Sequence, residues 1–144
     1  MNSMIFKFSF CFILLASHNA LLAQSRQEIL REAKEYTPIG LSLIDLGLSA
    51  SKVDNDIILL VNQILPDIID ENINNAVNTT IRFLYKKTGR TVFDPNIKIY
   101  ITGKFNSSLN AAASKNYPIM VSNMIEFVLV TDNFIKTGEV PFIN

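Results

Sequence analysis

The spacing of apolar residues changes at Gly89, and that change limits the fold more than any other feature of the chain. Before it, apolar residues recur three and four apart. Ile57, Ile58, Leu60, Val61, Ile64 and Leu65 crowd one face, and Ile69, Ile73, Ala76 or Val77, Ile81 and Leu84 form a stripe. This is the pattern of amphipathic helices. After Gly89, Ile97, Ile99 and Ile101 alternate with Lys98 and Tyr100, the period-two pattern of a strand with one buried face. Residues 103–110 read as a polar loop and residues 119–122 as a short strand. Residues 124–131, nearly all apolar apart from Glu126, read as a longer strand buried on both faces, joined to the previous one by a tight turn at Asn123. Helices first and an antiparallel sheet second make an α+β class, with N-terminal helices packed on a small sheet.

Local signals divide the helical half. Ser25-Arg26-Gln27-Glu28 is a capping box, and the helix it opens is expected to stop at about Tyr36, because Pro38 disfavours helical geometry at Thr37. Residues 39–51 mix both periods and read as a short helix or an extended connector. Asp54 or Asn55 caps a second helix, and Pro66 marks a break and a new start. The third helix, residues 67–87, then opens on Asp67, Asp70 and Glu71 and closes on Lys86-Lys87, with Gly89 as its C-terminal cap. Acids in a first turn complement the helix dipole, which accounts for this trio better than a cation site does.

The single cysteine and the single histidine, Cys11 and His18, both fall in residues 1–23. That segment reads as a signal peptide, with Lys7 as its charged start, an apolar run over residues 8–16 and small Ala20 and Ala23 before cleavage. The apolar run is too short for an ordinary membrane span. The expected mature protein is one domain, residues 24–144, periplasmic or secreted. It has neither imidazole nor thiol, which excludes a Ser-His-Asp triad, a Cys-His pair, a disulfide and the usual zinc sites. Its 121 residues carry 12 basic and 13 acidic side chains, a balance that gives no reason to expect nucleic acid or an anionic membrane as partner. Abundant Ile and Asn, with Lys outnumbering Arg, read as the codon bias of an AT-rich bacterial genome.

Two apparent motifs carry no chemistry. Thr102-Gly103-Lys104 looks like the tail of a phosphate loop, but Lys98 stands where the first glycine belongs and Phe105 where Ser or Thr does. Ser107 and Ser108 have no histidine to activate them.

Residues 97–135 resemble a known family. An alternating strand at residues 97–101, the run Leu109-Asn110-Ala111-Ala112, an apolar strand ending Val128-Leu129-Val130-Thr131, and then Phe134-Ile135 are similar to the start of the gluzincin metallopeptidase domain shared by the HtpX heat-shock protease and the CAAX prenyl protease. The resemblance places Asn110, Ala111 and Thr131 on family-motif positions and implies half of a zincin domain. Ala112 stands where the family has a bulky aromatic, and Asn133 where it has glycine. The His-Glu-x-x-His helix, with its two zinc ligands and general base, has no counterpart in residues 136–144. The resemblance therefore implies a non-catalytic portion, inactive as it stands, that needs zinc only if a further C-terminal part exists. The other expectation is a small periplasmic binding module that recruits a peptide or protein at a sheet edge, with no stable membrane insertion once the signal is removed.

Overall fold

The computed structural model describes residues 24–141, so the expected signal segment lies outside the described residues. Five helices follow one another: α1 (Arg26–Gly47), α2 (Asn55–Ile69), α3 (Ile73–Thr88), α4 (Pro95–Ala113) and α5 (Tyr117–Thr137). There is no strand among the described residues, which overturns the α+β class and its antiparallel sheet.

The supposed strands are helical because their apolar residues also fit a helical period over a longer stretch. Ile97 and Ile101 are four apart and buried, Ile99 between them is 53% exposed, and the buried series continues through Phe105, Ser108, Leu109 and Ala112. Asp94 caps this helix through the Asn96 amide, and Pro95 occupies its first turn, where a missing N–H costs nothing. Likewise Met120, Met124, Phe127, Val128, Thr131 and Phe134 recur three and four apart on the buried side of α5, while Leu129 and Glu126 face out.

Two prolines were expected to end helices and do not. Pro38 lies inside α1 and Pro66 inside α2. Pro38 and Lys34 are both exposed, so the carbonyl left without a donor meets water, while Ala33, Thr37, Gly40 and Ile44 keep one continuous buried face past the proline. Because α2 continues to Ile69, the acidic trio sits at its C-terminal end and not in the first turn of α3. Asp70 and Glu71 are there matched by α1, through Lys34 Nζ at 2.8 Å and Arg26 Nη2 at 3.0 Å. Asp67 instead accepts from the side-chain amide of Asn75.

Ser25 and Glu28 form the reciprocal capping box, Asp54 caps α2, and Gly89 ends α3 in the left-handed region at φ 71°. Three-residue turns make antiparallel hairpins of α2 with α3 and α4 with α5. The α4–α5 hairpin closes on Phe105 and Phe127, both fully buried, with ring centroids 5.1 Å apart. α2, α4 and α5 each pack against all four other helices, whereas α1 and α3 do not touch each other. α1 approaches α5 closely: a Cβ at Gly47 would lie 2.5 Å from Ile125 Cδ1. In α3 the core-facing residues are Ala76, Val77, Thr80 and Leu84, with Ile73 and Ile81 at the margin.

Candidate functional site

The outer face of the α2–α3 hairpin carries an open groove of about 540 Å³. Its α2 wall presents Leu59 and Gln63, one turn apart, and Leu59 is 55% exposed. Its α3 wall presents Arg82, half-buried Phe83, Lys86 and Lys87. Arg82 Nη2 donates to the hydroxyl of buried Thr79 at 3.3 Å, which restricts where the guanidinium points.

The charges along this groove are unevenly matched. Lys87 lies between Asp54 and Asp56, 2.7 and 2.6 Å away, and ties the last turn of α3 to the start of α2. The Lys87 ammonium, followed by the Asp56 amide, holds the Asp54 carboxyl below its ordinary value, and the carboxylates of Asp54 and then Asp56 raise Lys87. Arg82 and Lys86 have no carboxylate within ion-pair distance among the described residues. α3 itself contains no acid. The signal is present in the sequence as Arg82 and Lys86 four apart around Phe83, but basic residues near a helix C-terminus are also what its dipole favours, so the spacing alone does not mark a groove.

The positions singled out by the family resemblance do not converge. Asn110 is exposed and Ala111 buried in the last turn of α4, while Thr131 is buried fourteen residues along α5 from Tyr117, about 20 Å in helical rise. In an antiparallel hairpin this puts them at opposite ends. Ser108, expected in a loop, is buried in α4, its hydroxyl 3.4 Å from Met124 Sδ. Lys104, also on α4, pairs with Glu126 at 2.8 Å. Tyr100 lines a cleft of about 410 Å³ between α4 and α5; burial, and then Glu126, push its hydroxyl well above the ordinary tyrosine value. Among the described residues no group of three or more carboxylates or other ligating side chains could hold a metal ion. α5 is long and apolar enough to cross a membrane by length and composition, yet here Met120, Met124, Phe127 and Val128 bury it in the bundle.

No family model, curated protein or solved structure matches the chain.

Proposed function

We propose that residues 24–144 form an exported bacterial interaction module, without catalytic machinery of its own, that docks a polypeptide partner in the α2–α3 groove. The observation that carries this reading is the groove itself, where Leu59 stands more than half exposed beside Phe83 in a concave surface between two rigid helices. Helical grooves with apolar walls and polar rims are a recurring way of holding amphipathic segments. Docking at a sheet edge is withdrawn, since the described residues offer no edge. The metallopeptidase-like origin of residues 97–135 draws no support from the geometry.

Two measurements test the proposal. Intact mass of the exported protein is expected to show cleavage after Ala23, and a membrane-bound form retaining residues 1–23 would refute export as a free module. Peptides selected from a displayed library against the mature chain are expected to shift the amide resonances of Leu59, Gln63 and Phe83. Binders that shift only resonances elsewhere would remove the groove from the proposal.

A further inference from the structure

Building on that docking reading, we infer that the occupant of the α2–α3 groove is an acidic amphipathic helix of a partner protein, whose carboxylates one turn apart meet Arg82 and Lys86. The two cations are four residues apart on α3 and therefore face the same side, roughly 6 Å from each other along the helix. The third cation of the groove is already satisfied: Lys87 is held by Asp54 and Asp56. Those same contacts occupy the only carboxylate lining the groove, that of Asp56, so it does not compete for Arg82 or Lys86.

Other grooves are less one-sided. The one between α1 and α2 offers Arg31 beside a Lys34 already bonded to Asp70, and the surface along α4 offers Lys98 alone. Only the α2–α3 groove among these sets two unmatched cations around an apolar strip. Thr79 further limits the motion of Arg82, so less side-chain freedom is lost when a carboxylate arrives. Phe83 lies between the cations in sequence and Leu59 across from them, which calls for apolar residues between the acids of the partner. A helix with Glu or Asp at i and i+4 flanking a Leu supplies both.

The test uses the mature chain and two end-capped, alanine-rich helical peptides, identical but for Glu or Gln at a pair of positions four apart around a leucine. Binding is followed by calorimetry and by amide shifts at low and high salt. The Glu peptide is expected to bind about fivefold more tightly than the Gln peptide, as two exposed ion pairs allow. That preference should shrink in high salt and vanish in the R82Q/K86Q double variant, whose helical circular dichroism should be unchanged. Equal binding of both peptides in the groove would overturn the acidic assignment and leave the docking reading standing. Failure of both peptides to bind would remove the docking reading along with it. Sedimentation of the chain with phosphatidylglycerol vesicles, lost in R82Q/K86Q and unaccompanied by any peptide preference, would assign the cations to a lipid surface and refute the inference.

Discussion

Gly103 offers the sharpest test of the helical assignment, because it was expected in a polar loop and stands in the middle of α4. It is exposed, lies outside the positive-φ region, and a Cβ added there would meet no atom within 4 Å. An alanine at this position therefore loses no packing. Glycine inside a helix is about 0.8 to 1 kcal/mol worse than alanine, so Gly103→Ala is expected to stabilise the protein by nearly that amount. The melting temperature should rise by a few degrees. Gly103→Pro discriminates further: inside a helix it removes a hydrogen bond and crowds the preceding turn, at a cost of about 3 kcal/mol or more. A loop residue of ordinary φ would tolerate that change. Urea denaturation followed at 222 nm reads both variants. A proline variant within about 0.5 kcal/mol of the parent, the range of neutral surface changes, would refute a continuous α4.

Packing and charge give two more tests. Leu84→Ala is expected to cost about 2 to 5 kcal/mol as a fully buried aliphatic truncation, while Ile73→Ala, at the margin of the same helix, should cost about 1 kcal/mol; a reversed order in urea would show that α3 is rotated from its assigned face. Asp54 is held below its ordinary value in the fold, so its contribution is complete above the usual carboxylate range and is lost as pH falls through the lowered value. Asp54→Asn should flatten the acid limb of the stability profile between about pH 6 and pH 2, and an unchanged limb would mean that Lys87 is not its partner in solution.

The signals that could be read from the sequence were those with a local cause. Ser25 with Glu28, Asp54 and Gly89 each satisfy or terminate a backbone with their own side chain or their own φ, so a few residues suffice to identify them. The packed face of α2 was equally clear, because five of its six expected residues are fully buried and Ile58 partly so. The second half is ambiguous in sequence because two of its three alternating isoleucines satisfy both periods: Ile97 and Ile101 are spaced for a helix as well as for a strand, and only Ile99 is left facing out. The Asp94-Pro95 pair would have settled the matter as a helix start. Pro38 and Pro66 were given too much weight, since a proline on or near a solvated face leaves its orphaned carbonyl to water and the rest of the helix can hold. The groove was hidden because Arg82 and Lys86 acquire meaning only beside Leu59 and Gln63 of another helix, and sequence spacing does not report that juxtaposition.

The order of the helices along the chain has a consequence for how the fold comes into being. Synthesis runs from the N-terminus, so α2 and α4, each of which packs on all the other helices, leave the ribosome before α5, which does the same. Until α5 emerges, Phe105 lacks the Phe127 ring on which it closes, whereas the contacts among α1 to α4 involve only helices already made. The contacts made by α5, the α4–α5 hairpin foremost among them, are therefore the last of the core to close during synthesis.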